Sequence, residues 1–414
     1  MARSAAIHPS QTRSLEASEA IAPGSSSSNS TDSAPAPSSF FAYDAAWVGR
    51  EDITQALSAR IEAGVRLLMI VGIAGVGKTA LAERLVAGIG RWGDGVVRVN
   101  FDHQEQTSDF GSVAAKLLEK CGQPVGSEAR QNPQQLRQML FRHLQDNDKL
   151  ILIDSLEELL TGNEAGESRF NDESYLAFFQ QVLSAEAFSS RILITSQELP
   201  AELLRFGTRY QNVWHYHGLT GLSEQEQRSL FEKLGFDLDA DGRDLMRIGK
   251  AYEGHPLALR IITGEMGSRP FFGNVRAYWK RYGKEIEEVE RALAEAAAGN
   301  VSGADDKWAL DRFTRALRRN VRHRLEQTFE RLERDARIAY ILLCEASVYR
   351  CPVPEDWWLS HLDYWDVDEA AQAAAVDALR DRFLVEEMLA EDEYQLKQHN
   401  LIRSVALEHL RGLS

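Results

Sequence analysis

One stretch of the sequence has the residue types that are needed to bind a phosphate chain. Glycines occupy positions 72, 75 and 77, and Lys78 and Thr79 follow directly. Glycines let backbone N–H groups turn toward phosphates, the lysine reaches the β- and γ-oxygens, and the hydroxyl holds Mg²⁺. A glycine-rich turn without a ligand is the alternative interpretation. The residues predicted to bind phosphates are Gly72, Gly75, Val76, Gly77, Lys78, Thr79 and Ala80.

A carboxylate is placed to complete the metal half of such a site. Asp154 ends an apolar run, and a strand-end carboxylate of this kind orders the Mg²⁺ shell. We therefore predict that Thr79 and Asp154 bind the metal. Glu157 and Glu158 follow closely, and either could orient the attacking water as a catalytic residue. The alternative is that these two glutamates only form the acidic first turn of a helix.

The next apolar run ends at Thr195 and Ser196. A polar group there could sense the γ-phosphate of a bound nucleotide. A serine or threonine at the start of a loop with no functional role is the other interpretation. We include Thr195 among the predicted nucleotide-binding residues.

Short apolar runs alternate with amphipathic stretches around these residues. The runs lie at 66–72, 96–101, 149–154, 191–195 and 213–218. Continuous apolar strands separated by helices are typical of a parallel sheet that is covered on both faces. The sequence therefore predicts an α/β domain with a parallel sheet, and the phosphate-binding loop follows its first strand.

The strand signal stops near residue 219, and the rest of the chain reads as mostly helical. Ser223 and Glu226 form a possible capping box, and 254–266 reads as a helix. Three or four helices at 310–381 and a hairpin at 383–399, with its turn at Glu391–Glu393, outline a winged helix. The predicted organisation is a disordered tail at 1–40, a nucleotide-binding domain at 41–218, a helical domain at 219–300 and a winged-helix domain at 301–414.

Three further segments resemble motifs of the STAND class of P-loop NTPases, which includes the NB-ARC and NACHT proteins. The segment 48–51 is similar to the Val-Gly-Arg-Glu segment that lies against the adenine in that class. The segment 254–259 resembles the Gly-x-Pro-Leu-Ala-Leu motif of the helical domain. The segment 398–400 is similar to the Met-His-Asp motif of the winged helix. The resemblance covers about residues 45–410.

The resemblance implies specific nucleotide contacts. Val48, Gly49 and Arg50 would lie near the base, Pro256 would contact the nucleotide, and His399 would contact the β-phosphate of ADP. A core or surface histidine at a strand end is the alternative for His399. The implied cofactors are ATP or ADP with Mg²⁺.

The sequence departs from the family pattern at positions that matter for hydrolysis. Ser155 follows Asp154 where NB-ARC proteins usually have a second aspartate. A small residue at this position, with acids three and four residues after the aspartate, here Glu157 and Glu158, is typical of NACHT proteins. Gln197 replaces the arginine that is common after the strand-end threonine. These departures predict nucleotide binding with weak, slow hydrolysis.

The charge distribution argues against nucleic acid as the default partner. The net charge is −15, and an acidic field repels phosphodiester backbones. The predicted wing is also acidic, with only Lys397 as a counter-charge. Arginines cluster at 312–324, which we interpret first as a solvated or interdomain face and second as a patch for a partner or nucleic acid.

The cellular compartment is inferred from features that the sequence lacks. No apolar run reaches the ~18–20 residues of a membrane span, and no secretory signal begins the chain. The three cysteines lack metal-like spacing and are expected to be free thiols in a reducing compartment. We expect a cytoplasmic protein.

The function that the sequence favours is an ATP/ADP-operated switch of signal-transduction or defence type. ADP would hold the three domains together, and ATP would favour opening and self-association or contact with a protein partner. Two alternatives remain open. One is a DNA-associated, initiator-type ATPase or transcriptional regulator, and the other is a nucleotide-bound scaffold that does not hydrolyse ATP.

Overall fold

The computed structural model describes residues 47–101, 109–162, 168–207, 209–298, 306–390 and 393–413. The predicted disordered tail at 1–40 lies outside these ranges. The strands of the first domain, in chain order, are β1 (Leu67–Val71), β2 (Val96–Asn100), β3 (Leu150–Asp154), β4 (Leu160–Gly162), β5 (Ser168–Phe170), β6 (Arg191–Ser196) and β7 (Trp214–Gly218).

Five of these strands form the predicted parallel sheet, in the order β2-β3-β6-β1-β7. All five predicted strands are therefore confirmed, each to within one residue at either end. Strand β6 lies between β1, which leads into the glycine-rich loop, and β3, which ends at Asp154. The carboxyl ends of the strands meet at one edge of the sheet, and the predicted site residues lie there. The short antiparallel pair β4 and β5 was not predicted.

The helices of the first domain cover both faces of this sheet. Alternate residues of β1 show the division: Leu68 and Ile70 belong to one buried cluster, and Leu67 and Met69 to the other. The helices are α1 (Glu51–Glu62), α2 (Lys78–Ile89), α3 (Phe110–Lys120), α4 (Ser127–Arg130), α5 (Pro133–Asp146), α6 (Glu173–Ser184) and α7 (Ala201–Gly207).

The second part of the chain is a helical region that shares a core with the sheet. Its helices are α8 (Glu224–Lys233), α9 (Leu238–Ala251), α10 (Pro256–Gly267) and α11 (Val275–Ala298). The predicted capping box is present, because Ser223 and Glu226 each bond the other's backbone N–H. Apolar side chains of all four helices join the same buried cluster as Leu68 and Ile70. The helical region is thus packed onto the nucleotide-binding domain as one unit.

The last part of the chain has the helices and the three-stranded sheet of a winged helix. It contains α12 (Asp306–Asp335), α13 (Arg337–Glu345), β8 (Val353–Pro354), α14 (Glu355–Asp363), α15 (Glu369–Asp381), β9 (Glu386–Ala390), β10 (Glu393–Lys397) and α16 (Asn400–Leu410). The strand order is β8-β10-β9. The predicted hairpin is β9 and β10, and most of its predicted turn lies outside the described residues.

Helix α12 belongs to two cores at once. Leu317 and Val321 pack in the cluster shared by the sheet and the helical region, whereas Leu325 and Phe329 pack in the core of the winged helix. The predicted boundary between residues 300 and 301 lies outside the described residues. Helix α12 begins at Asp306 and, through its contacts in these two cores, joins the helical region to the winged helix.

The predictions about membrane spans and about cysteines can be compared with the described residues. Among them, no helix has both the length and the apolar character that a membrane span needs. The three cysteines carry free thiols: Cys121 is half-buried, Cys344 buried and Cys351 exposed.

Candidate nucleotide-binding cleft

The glycine-rich loop connects β1 to α2 and has the backbone shape of a phosphate cradle. Gly75 and Gly77 have φ values of 78° and 97°, a left-handed region that side-chain-bearing residues rarely adopt. Helix α2 begins at Lys78, with Gly77 as its N-cap and no side chain capping it. Its first N–H groups and its positive dipole end therefore face the cleft, which suits an anion.

Lys78 and Thr79 lie at the floor of this cleft. Lys78 is buried, and its Nζ donates to the Ile73 carbonyl of the same loop at 3.1 Å. Thr79 Oγ1 donates to Asp154 Oδ1 at 2.9 Å, across from α2 to the end of β3. The sheet thus brings together the lysine, the hydroxyl and the carboxylate that the sequence predicted.

Asp154 is held by groups from three elements, α2, β2 and β6, and is almost completely buried. Its Oδ1 accepts from Thr79 and Thr195, and its Oδ2 accepts from Arg98 Nη2 at 2.7 Å. Burial raises the pKa of Asp154, but the Arg98 charge and the hydrogen bonds from Thr195, Arg98 and Thr79 outweigh burial. The pKa of this carboxyl is therefore below its usual value, and the group is a carboxylate at neutral pH.

The oxygens of Thr79 and Asp154 fit the metal that such a loop implies. Mg²⁺ prefers hard oxygen ligands and is usually held by one or two protein groups together with phosphates and water. The described residues contain no cluster of three or more His, Cys, Asp or Glu that could hold a metal without a nucleotide. A metal held by Thr79 and Asp154 would complete its shell with phosphate and water oxygens, and it would neutralise phosphate charge.

The two predicted catalytic glutamates are placed differently. Glu157 lines the cleft, and its Oε2 accepts from the backbone N–H of Gln197 at 3.0 Å. Glu158 is exposed and does not line the cleft. Of the two, only Glu157 lines the cleft.

Thr195 lies behind Asp154 rather than in the cleft. Its hydroxyl donates to Asp154 and accepts from the backbone N–H of Ser155 at 3.0 Å. Ser155 has a φ of 64°, and this left-handed turn directs the chain away from β3 just after Asp154. Thr195 thus orients the carboxylate, while the cleft wall after β6 is formed by Gln197.

The segment before α1 closes one end of the cleft. Trp47, Val48 and Arg50 line it, and Leu222 and Leu230 of the helical region lie in the same wall. This apolar wall suits a nucleotide base.

Arg50 crosslinks three segments around this wall. Its Nη2 donates to the carbonyls of Val76 and Thr220, and its backbone N–H donates to Glu226 at 2.6 Å. A side chain at Gly49 would collide with Glu226, at 2.3 Å from its Cγ. Gly49 and Arg50 therefore dock the entry segment onto the loop and the helical region.

His255 joins the helical region to the phosphate-binding loop, and the sequence did not single it out. Its Nδ1 accepts from Ala258 N–H at 3.2 Å as the N-cap of α10, so its Nε2 donates to the Ala74 carbonyl at 2.9 Å. The ring is completely buried, which lowers the pKa of His255 to about 4. The next residue, Pro256, lines the cleft.

The winged helix supplies the remaining wall. His399 lines the cleft as the N-cap of α16, and its Nδ1 accepts from Leu401 N–H at 3.1 Å. Glu386 and Lys397, which are cross-strand partners at the base of the hairpin, lie beside it. A single cleft is therefore lined by the loop, the helical region and the winged helix.

Most of the predicted site residues line this cleft. Among the predicted ones, Gly49, Gly72, Glu158 and Thr195 do not. The predicted residues that do line it are Val48, Arg50, Gly75, Val76, Gly77, Lys78, Thr79, Ala80, Asp154, Glu157, Pro256 and His399.

Residues missed by the sequence reasoning carry most of the charge next to Asp154. Arg98 sits in β2, and a charged residue within an otherwise apolar strand was the available signal. Glu83 on α2 accepts from Arg98 Nη1 at 2.7 Å and is buried. Burial raises the pKa of Glu83 to about 7, against the opposing charge of Arg98.

The arginine-rich stretch of α12 makes contacts within the protein. Arg318 donates to the carbonyl of Gln197 at 3.3 Å, and Arg322 pairs with Glu408. Arg324 is buried against Glu265 of α10. The interdomain interpretation fits the contacts of Arg318 and Arg324, whereas Arg322 is partly exposed and pairs within the winged-helix domain.

Comparison with known proteins agrees with this geometry. Residues 61–199 match the family described as AAA domain. No match to this sequence was found among proteins with curated functions.

Solved structures share the fold at low identity. A signal transduction ATPase with numerous domains (STAND) and a tetratricopeptide repeat sensor, from Pyrococcus horikoshii, is 15% identical with a TM-score of 0.50, over 88% of this chain and 43% of that one. This chain thus spans less than half of that protein.

Two further structures superpose less well. Cdc6p from Pyrobaculum aerophilum is 12% identical with a TM-score of 0.39, over 89% of this chain and 98% of that one. The ORC1 protein from Aeropyrum pernix, in complex with DNA, is 13% identical with a TM-score of 0.37. The match covers 88% of this chain and 93% of that one. The loop, the strand order and the match at residues 61–199 together show a P-loop NTPase domain in this chain, in a fold similar to that of a STAND ATPase.

Proposed function

We propose that this protein is a cytosolic ATP/ADP-operated switch of signal-transduction or defence type, in which bound ADP holds three parts of the chain together. The observation that carries the proposal is the shared cleft. Lys78, Pro256 and His399 come from the nucleotide-binding domain, the helical region and the winged helix, and all three line it. A ligand in this cleft touches all three parts at once and so couples them.

ADP would fit the cleft along its length. The base would lie against Trp47 and Val48, and the phosphates would lie on the loop, at Lys78 and the start of α2. His399 would then donate to the β-phosphate from the winged-helix side. This contact would stabilise the closed arrangement, because it exists only when the winged helix is docked.

ATP would favour a different arrangement for an electrostatic reason. The γ-phosphate would add negative charge to a cleft that also contains Glu157 and Glu386. Glu386 belongs to the winged helix, so repulsion is relieved when that domain moves away. The opened form would expose the faces that the winged helix covers and would then self-associate or bind a protein partner.

Hydrolysis would reset the switch slowly. Glu157 lines the cleft and would orient an attacking water, and Mg²⁺ held by Thr79 and Asp154 would neutralise the developing charge. Ser155 and Gln197 occupy the positions where the related proteins often have an acid and an arginine. The second candidate is a nucleotide-bound scaffold that does not hydrolyse ATP. It is favoured because Arg98 already donates a hydrogen bond to Asp154 Oδ2.

One of the solved structures named above is the Aeropyrum pernix ORC1 protein in complex with DNA. The expectation that nucleic acid is not a partner therefore has no support from the comparisons and stays a prediction. Arg380, at the end of α15, is paired with Glu355 and Glu387.

The proposal is tested by two variants with different expected behaviour. Lys78→Ala should weaken binding of both ATP and ADP by at least ~2 kcal/mol, measured by calorimetry, because it removes a charge-assisted contact. His399→Ala should still bind both nucleotides but release ADP faster and adopt the larger, opened shape in small-angle scattering. Unchanged affinity in Lys78→Ala would contradict the site, and an unchanged ADP release rate in His399→Ala would contradict the latch.

A further inference from the structure

Three charged side chains form a chain that leads away from the nucleotide. Glu83 is on α2, Arg98 on β2 and Asp154 at the end of β3. Arg98 uses its two terminal nitrogens separately: Nη1 donates to Glu83 and Nη2 to Asp154, both at 2.7 Å. The side chain of Arg98 is 27% exposed, whereas Glu83 and Asp154 are buried. A full positive charge is therefore fixed against the carboxylate that is expected to hold Mg²⁺.

The arrangement makes Arg98 and Mg²⁺ compete electrostatically. Asp154 Oδ1 is oriented toward Thr79, on the side of the nucleotide, while Oδ2 is bonded to Arg98. Two cations that share one carboxylate repel each other, and in a partly buried site this repulsion is weakly screened. Glu83 has the opposite effect, because a negative charge on it compensates Arg98.

We propose that Arg98 is the resident counter-ion of Asp154 and that it lowers the affinity of the site for Mg²⁺, so that ADP binds almost as well without the metal as with it. The inference rests on the proposed nucleotide binding and deepens it. Arg98 neutralises Asp154 when no metal is present, which lets the ADP-bound form persist without Mg²⁺. ATP, with one more phosphate to hold the ion, retains a stronger dependence on it.

The counter-ion role predicts effects of opposite sign for the two partners of the pair. Arg98→Gln removes the positive charge but keeps an amide that can donate to Asp154, so Mg²⁺ affinity should rise. Glu83→Gln removes the negative charge that compensates Arg98, so Mg²⁺ affinity should fall. A residue that only holds Asp154 in place would weaken the metal in both variants.

The experiment measures ADP affinity by calorimetry with excess Mg²⁺ and with EDTA. The ratio of the two affinities should be below ~3 in the wild type and should increase at least ~tenfold in Arg98→Gln. Mn²⁺ bound in the presence of ADP, followed by its electron paramagnetic resonance signal, should tighten by a similar factor. Arg91→Gln is the matched control, because it breaks an exposed ion pair with Asp148 on the same domain.

The outcomes separate the inference from the function on which it rests. An unchanged or reduced ratio in Arg98→Gln, with ADP still bound, overturns the counter-ion role and leaves nucleotide binding intact. Absence of ADP binding in the wild type overturns the proposed function itself. If Arg98→Gln does not fold, Arg98→Lys keeps the charge without the two-pronged geometry, and an increased ratio in this variant would equally refute the inference.

Discussion

Gly264 of α10 offers a way to open the closed arrangement without touching the cleft. A Cβ at this position would lie 2.7 Å from both the Cα and the carbonyl carbon of Arg382, and 2.9 Å from its carbonyl oxygen. Arg382 follows α15 in the winged helix, so the contact is between backbone segments of two domains. Neither can yield as a flexible side chain would. Gly267, one turn later on the same helix, has open space around it.

The expected magnitude follows from two opposing effects in Gly264→Ala. Overpacking a tight contact typically costs ~1–3 kcal/mol, and the higher helix propensity of alanine returns up to ~1 kcal/mol. A net loss of ~1–2 kcal/mol at the interface shifts the closed-to-open ratio about 5- to 30-fold. Gly267→Ala gains propensity without the collision, so its closed state should be unchanged.

The assay is the release rate of a fluorescent ADP analogue, together with the radius of gyration from small-angle scattering. Gly264→Ala should release the analogue several-fold faster and scatter as a more open particle, and Gly267→Ala should match the wild type. Far-ultraviolet circular dichroism shows whether the domains themselves remain folded. If both variants match the wild type in release and in scattering, the α10 contact with the winged helix does not latch the nucleotide.

Three other predictions follow from the geometry of the cleft. Wild-type ATP turnover, measured by phosphate release, should be below ~1 s⁻¹. Glu157→Gln should reduce this rate about 100-fold, whereas Glu158→Gln should leave it unchanged. A large loss in Glu158→Gln and none in Glu157→Gln would contradict the roles assigned to these acids. The depressed pKa of His255, about 4 against an ordinary 6.5, stabilises the fold fully above pH 6.5 and less as the pH falls toward 4. Urea unfolding at pH 7 and pH 5 should therefore show ~2 kcal/mol less pH-dependent loss in His255→Asn than in the wild type, and equal losses would mean that the ring is not buried as a neutral group. Duplex DNA should bind no better than ~10⁻⁴ M at physiological salt, and a micromolar, sequence-dependent gel shift would favour the initiator-type alternative.

The sheet and the phosphate-binding loop could be predicted because their signals are local. Strands β1, β3 and β6 contain continuous apolar runs, and the pattern from Gly72 to Thr79 is contiguous. The capping box at Ser223 was equally local. Such patterns are read without knowing which elements become neighbours.

The charged neighbours of Asp154 could not be predicted for the opposite reason. Glu83, Arg98 and Asp154 meet only because α2, β2 and β3 are brought together by the strand order. The orientation of Thr195 toward Asp154 likewise depends on β6 lying beside β3. Sequence spacing also gave no reason to choose between Glu157 and Glu158, because the turn at Ser155 decides which of them faces the cleft.

The distribution of apolar and polar contacts indicates where the molecule can open. The helical region shares one continuous apolar cluster with the sheet, and separating them would expose large buried side chains to water. The boundary with α12 adds buried charges to the apolar contacts that Leu317 and Val321 make with that cluster. Glu265 of α10 is buried there and accepts from Arg324, Thr328 and Arg331 of α12.

A buried ionic boundary of this kind resists small movements but can be separated. Leaving one charge without its partner in the interior is strongly unfavourable, so the closed position of α12 is well defined. When the whole boundary opens, every charge in it becomes hydrated at the same time, which recovers much of the desolvation cost. We therefore expect the helical region to stay with the nucleotide-binding domain, while the winged helix moves with the part of α12 that carries these arginines.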